Sequence, residues 1–280
     1  MNTVTAGVSV FLLGMTALMV FMFQSSNDLP AASLQKGQAS EEYKGATYYP
    51  DRKLYDFVTY EINGRFGWGI TKSQIQTLYN RFAGTEAHCE VGLATPSLVA
   101  GAVPQSAAVL IVDVDSDFLT KAEKTLKELG YGSIKKVTHD ITTPFEGRMD
   151  AKYEAIGLNF VLHCVPGTLS PSSKGVCFQH LKAVLAPGGV LFGSTVLGYS
   201  AGHNMFGSFI MKKYNDPSIG IFRNGDDDLR DIRAALARAF KRFEVKMYGR
   251  VVVYAATDDP DKDLNMFDPM ELCPRQSTWA

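Results

Sequence analysis

Three rhythms of apolar and polar positions run along this chain. Residues 8–23 (VSVFLLGMTALMVFMF) are almost wholly apolar, and no charged side chain occurs between Thr3 and Gln24. That run comes close to the ~17–25 residues needed to cross a bilayer, so an N-terminal transmembrane helix is expected. Residues 25–53 are small and polar and read as a linker. From Tyr55 onward the pattern alternates between helical and strand periods.

Ile75, Leu78, Tyr79 and Phe82 recur at helical spacing and predict a helix over residues 71–83. Cys89 to Gly92 end a short strand, residues 97–102 form a helix, and residues 108–114 (AVLIVDV) are a buried strand. Leu119, Ala122, Leu126 and Leu129 then line one helical face closed by Gly130. Strands over 134–139, 155–164 and 189–197, with a helix over 174–186, continue the alternation. Such order gives a mainly parallel sheet with helices on both faces. A helix over 226–243 follows, and residues 243–248 and 250–256 make an antiparallel hairpin at Gly249. The expected organisation is an anchor over 1–24, a linker over 25–53, a folded domain over 54–257 and a tail over 258–280.

Composition narrows the function. Twenty-eight basic residues face 29 acidic ones, so no positive field exists for a nucleic acid to follow. Cys89, Cys164, Cys177 and Cys273 form no C-x-x-C pair, which argues against a metal site and a disulfide framework, and they read as small buried hydrophobes. The basic residues Lys36, Lys44, Arg52 and Lys53 all follow the apolar run. The positive-inside tendency therefore expects a signal anchor with the domain in the cytosol, on the endoplasmic reticulum in a eukaryote. A cleaved signal peptide is the first alternative and a buried helix the second.

In an open α/β sheet, ligands bind beyond the carboxyl ends of the strands. The first such end reads Glu90-Val91-Gly92-Leu93-Ala94-Thr95-Pro96, where a glycine lets the backbone turn tightly and come close to a ligand. The second reads Asp113-Val114-Asp115, placing carboxylates about 20 residues on, where a ribose would need an acceptor. Asp115 is equally suited to start the following helix as its N-cap. The third end carries Asp140. The fourth reads Asn159-Phe160-Val161-Leu162-His163-Cys164-Val165-Pro166-Gly167, and Leu185-Ala186-Pro187-Gly188-Gly189-Val190-Leu191-Phe192-Gly193-Ser194-Thr195 follows. His163 suits either a base toward a hydroxyl acceptor or a histidine that holds a loop.

Element order and these segments together resemble the class I S-adenosylmethionine-dependent methyltransferases, in particular bacterial and fungal enzymes acting on small natural products. The likeness runs from Tyr55 to Ala256 and includes Tyr55-Asp56-Phe57, Trp68, Tyr214-Asn215 and Gly220-Ile221-Phe222-Arg223-Asn224. It implies a Rossmann-like sheet of seven strands and S-adenosyl-L-methionine as cofactor. It further implies cofactor contacts at Glu90, Gly92, Ala94, Asp113, Asp115, Asp140 and Asn159. Ala94 and Pro96 stand where the family motif has glycines. The expected activity is O-methylation of a small apolar acceptor, with a non-methylating cyclase or isomerase of the same fold as alternative and a membrane scaffold as a second. Tyr55, Phe57, Phe66, Trp68, Met205, Phe206, Phe209, Met211, Tyr214 and Phe222 either line an acceptor pocket or form core.

Overall fold

A strand switch at the centre of the sheet sets where a ligand can sit. In a computed structural model of the chain, seven strands lie in the order β3-β2-β1-β4-β5-β7-β6. They are β1 (Ala87–Val91), β2 (Ala108–Asp113), β3 (Ile134–Thr138), β4 (Tyr153–Asn159), β5 (Leu185–Val196), β6 (Arg242–Tyr248) and β7 (Val251–Thr257). The first five are parallel, and β7 runs antiparallel between β5 and β6. The chain winds outward from β1 to β3, then returns to place β4 beside β1, which opens a crevice at their carboxyl ends. This is the seven-stranded class I methyltransferase sheet, with the hairpin at Gly249 (φ 56°). The chain divides into two units, Met1–Thr47 and Tyr48–Ala280. The structure describes residues 55–93, 95–147 and 152–266, all in the second unit.

The helices among the described residues are α1 (Phe57–Trp68, a π-helix), α2 (Lys72–Phe82), α3 (Pro96–Ala100), α4 (Ser116–Glu128), α5 (Cys177–Ala183), α6 (Met205–Tyr214) and α7 (Leu229–Ala239). Thr71 starts α2 with a reciprocal cap, its hydroxyl accepting from the Gln74 N–H while the Gln74 side chain accepts from the Thr71 N–H. Pro96 occupies the first turn of α3, where its missing N–H costs nothing. None of the described helices is long and apolar enough to cross a membrane. The expected anchor over 8–23 lies outside the described residues, as do Ala94 and Cys273. Cys89, Cys164 and Cys177 are buried, unpaired thiols.

Four elements have boundaries that differ from expectation. β4 ends at Asn159 rather than 164, because Phe160 adopts a left-handed backbone (φ 55°) and Leu162–Cys164 form a 3-10 turn. Their apolar character reflects burial in a turn, which reads like a strand. Lys174–Val176 are a 3-10 turn, and α5 stops at Ala183, not 186. Pro187-Gly188-Gly189 accordingly lie within β5, whose pairing jumps from Tyr153↔Leu185 to Ala155↔Val190. The helix expected over 226–243 is α7 alone, capped by Asp228 and released at Phe240, whose backbone is extended. Asp226 and Asp227 belong to the loop before it.

α1 and α6 pack on each other through glycines. A Cβ on Gly207 would press on the Gly67 carbonyl, and one on Gly67 would touch Ile210 and Phe206. Both helices are apolar on more than one face, so neither shows a clean helical period.

Candidate active site

Gly92 terminates β1 with φ 68°, and its N–H donates to the Val112 carbonyl at 2.9 Å. A side chain there would overlap a γ-methyl of Val161, from the turn after β4. The left-handed backbone and the close neighbour both require glycine. Glu90, two residues earlier, is buried in a polar cluster. It accepts from the Tyr79 hydroxyl at 2.5 Å and lies 3.1 Å from His88 Nε2. Gly84 donates its N–H to His88 Nδ1, which places the His88 proton on Nε2 and makes it a donor to Glu90. The Glu90 carboxylate also fills the space left by the missing side chain of Gly157 on β4.

Asp113 ends β2 partly buried, and its Oδ1 accepts from the Asp115 N–H at 2.9 Å. Burial raises its carboxyl to about 6, with backbone hydrogen bonds from Asp115 and Val114 acting the other way. Asp115 is the N-cap of α4, accepting from the N–H groups of Asp117 and Phe118 at 2.8 and 3.1 Å. That satisfies the helix end and turns Asp115 to structural work. Asp140 is exposed and closes a turn, accepting from the Thr142 N–H and hydroxyl. The His139 N–H donates to the Asp113 carbonyl, so the two loops carrying Asp113 and Asp140 are neighbours. Asn159 stands beside Gly92, one residue beyond the Val91↔Leu158 pair. Its Oδ1 accepts from Ser194 at 3.0 Å, while its buried Nδ2 has no hydrogen-bond partner.

His163 lies in the 3-10 turn after β4. Its Nδ1 accepts from the Val196 N–H at 3.4 Å with the Thr195 hydroxyl at the same distance, so the ring proton sits on Nε2. Burial, with the nearby Lys174 charge second, lowers its pKa to about 3. A nitrogen whose lone pair is already taken and whose basicity is this low is a poor base. The His163 carbonyl accepts from the Arg223 N–H at 2.7 Å. This geometry suits His163 to hold the loop, and suits it less to act as a base.

Side chains from three segments close a ring above these strand ends. Tyr60 of α1 meets Phe160 (6.0 Å between centroids), Phe160 meets His163 (5.9 Å), His163 meets Phe222 (4.3 Å) and Phe222 meets Tyr214 of α6 (5.0 Å). Asn63, one turn from Tyr60, completes it by donating to the Tyr214 hydroxyl at 3.1 Å. α1 is also clamped to the glycine turn. Tyr60 donates to Thr95, Thr95 to Asp56, and Asp56 pairs with Lys72 at 2.5 Å. Trp68 and Phe222 are buried with this ring, whereas Phe57, Phe66, Met205 and Phe209 face outward. Tyr60 and Asn63 were not legible as site residues, because α1 lacks an α-helical period. Asn215 and Asn224 are bonded to each other, and Asn224 Nδ2 donates to the Val196 carbonyl at 2.9 Å. The Tyr214-Asn215 and Phe222-Arg223-Asn224 segments therefore brace the ring. A cleft of about 460 Å³ between β6 and residues 263–265 lies at the sheet edge, away from this site.

No protein-family model matches the chain. Curated proteins do. The chain is 30% identical over 209 residues to the physcion biosynthesis cluster O-methyltransferase of Aspergillus chevalieri, covering 73% of this chain and 89% of that one. Methyltransferase aurB of Calcarisporium arbuscula is 30% identical, with 72% and 90% covered. Demethylluteothin O-methyltransferase of Streptomyces thioluteus is 28% identical, with 72% and 85% covered. Among solved structures, an O-methyltransferase family protein from Burkholderia thailandensis shares the fold, with a TM-score of 0.54 at 11% identity, over 75% of this chain and 60% of that one. The fold and the strand-end residues define a class I methyltransferase sheet. The chain belongs to the S-adenosylmethionine-dependent methyltransferases of secondary metabolism, and it is an enzyme.

Proposed function

We propose that this enzyme methylates a hydroxyl of a small, largely apolar, natural-product-like acceptor, held in the ring formed by Tyr60, Asn63, Phe160, His163, Tyr214 and Phe222. That ring carries the reading. It is aromatic on most sides, lies beside the glycine turn, and is built partly by a cap helix clamped to that turn through Thr95. Buried aromatic side chains of this kind favour flat apolar molecules over water.

The strand-end residues fit S-adenosylmethionine. Gly92 supplies the tight left-handed turn at the strand end, Asp113 presents a part-buried carboxylate for ribose hydroxyls, and Asn159 carries a buried amide donor beside Gly92. Asp140 stands beside Asp113 to meet the base, while Glu90 shapes the floor through Tyr79 and His88. Asp115 takes part only by holding α4. The cofactor supplies an electrophilic methyl group. The protein's share is alignment, and holding a hydroxyl at the methyl is worth several orders of magnitude in rate. With His163 neutral and its Nδ1 occupied, the acceptor hydroxyl must be acidic enough, as a phenol or enol is, to react without a strong protein base.

The apolar run over 8–23, followed by basic residues, supports a membrane anchor with this domain on the cytosolic side. Two experiments test these readings. Protein incubated with cofactor carrying an isotopically labelled methyl and an apolar host extract should yield a labelled, base-stable methyl ether. Label confined to amines or carbon would contradict O-methylation. The full chain should remain in the pellet after alkaline carbonate extraction, and its release would remove the anchor.

A further inference from the structure

The outer surface of the cap differs from the rest of the molecule. Among the described residues, four of the eight exposed large hydrophobic side chains, Phe57, Phe66, Met205 and Phe209, sit on α1 and α6. Met205 is 84% exposed, and Phe66 and Phe209 are nearly half exposed. Met205 and Phe209 are four residues apart and share a face of α6. Phe66 joins them in one lobe, because its carbonyl accepts from Asn204 at 2.8 Å and Gly67 packs on Gly207. Isolated exposed apolar residues need no explanation, but a cluster on one lobe does.

Basic side chains border the lobe, with Glu61 and Asp216 as their acidic neighbours. Lys212 and Lys213 are exposed in the last turn of α6, and Arg65 is exposed beside Phe66. Glu61 offsets Arg65 only across 3.9 Å of solvent-exposed surface. Aromatic and methionine side chains next to lysines form the profile of a surface that enters the headgroup layer of an anionic bilayer.

We propose that the α1–α6 lobe dips into the interfacial layer of an anionic phospholipid bilayer, so that an apolar acceptor enters the aromatic ring from the lipid side. This rests on the membrane anchor proposed above. Three or four side chains alone bind a bilayer weakly. On the sequence reading, residues 25–53 tether the domain to the anchor, and tethering raises its effective concentration at the bilayer surface. Weak insertion then suffices. The inner faces of the same helices carry Tyr60, Asn63 and Tyr214 into the ring. Only one helix layer, about 10 Å thick, therefore separates the outer face of the lobe from the ring.

The test uses full-chain Phe209→Trp in vesicles of phosphatidylcholine with phosphatidylglycerol, compared with the same lipids brominated on the acyl chains. Flotation is measured in parallel, and the parent chain corrects for its own tryptophans. The introduced indole should be quenched by half or more. Lys212→Glu with Lys213→Glu, at exposed positions that leave packing intact, should reduce that quenching at least twofold while the chain still floats. A chain that floats without extra quenching overturns the lobe insertion and leaves the anchor standing. A chain that does not float overturns both. Loss of quenching with cross-linking between copies through position 209 overturns it too, by assigning the surface to a second copy.

Discussion

The Lys174 ammonium lies 2.7 Å from the Asp227 carboxylate, and both side chains are fully buried. Lys174 also donates to the carbonyls of Val165 and Arg223, at 3.1 and 3.2 Å. The Asp227 carbonyl accepts from the Gly198 N–H at 2.8 Å. One ion pair thus ties together the loop after β4, the end of β5 and the loop before α7, which carry His163 and Phe222.

Breaking that pair from one side strands a buried charge. Lys174→Met should lower stability in urea by about 3–5 kcal/mol. Lys174→Met with Asp227→Leu should regain much of the loss. A single-variant loss under about 1 kcal/mol would show that the pair does not hold these loops.

Gly92→Ala should weaken cofactor binding tenfold or more while the chain still folds. It adds about 1–2 kcal/mol of left-handed backbone strain and a clash with Val161. Val161→Ala in the same protein should relieve the clash alone and restore part of the affinity. Equal affinity in wild type and Gly92→Ala, by equilibrium dialysis, would remove Gly92 from the site.

Asp113 must be ionised to accept from ribose hydroxyls, and burial holds its carboxyl up at about 6. Cofactor affinity should be full above pH 7 and fall about tenfold between pH 7 and pH 5 as the group protonates. Asp113→Asn should bind more weakly at pH 7 and show no such fall. A pH dependence unchanged in the variant would assign the titration elsewhere.

His163 should shape stability rather than the pH–rate profile. Its pKa is about 3 in the fold against 6.5 when free, so the unfolded chain binds the extra proton between those values. Its contribution is complete above pH 6.5 and is lost as pH falls. Between pH 6.5 and 5, wild type should lose roughly 1–2 kcal/mol more than His163→Gln. A kinetic pKa near 6.5 that vanishes in His163→Gln would reinstate it as a base.

Much of this was legible in the chain. The alternation of buried strands with amphipathic helices gave the sheet, and Gly249 with its flanking apolar runs gave the antiparallel hairpin. Gly92 and Asp113 were readable because a tight turn and a strand-end carboxylate follow from residue type and spacing. The ring over the site was not. Tyr60 and Asn63 lie on a π-helix whose period the α-helical pattern misses, and Phe160–Cys164 read as strand because a buried turn is as apolar as a strand. The Lys174–Asp227 pair joins residues far apart in sequence, and neither sits in a motif that announces a partner. Asp115 shows the converse: two uses suited its place, and of these the hydrogen bonds from Asp117 and Phe118 make the capping one visible.

Calorimetric titration of the folded enzyme with S-adenosylmethionine at pH 7.5 tests the central claim most directly. The account predicts saturable one-site binding that weakens by about 1–3 kcal/mol in Asp113→Ala, through loss of charge-assisted hydrogen bonds, and by less in Asp115→Ala. No heat at millimolar cofactor from a folded sample, or a larger loss from Asp115→Ala than from Asp113→Ala, would contradict it.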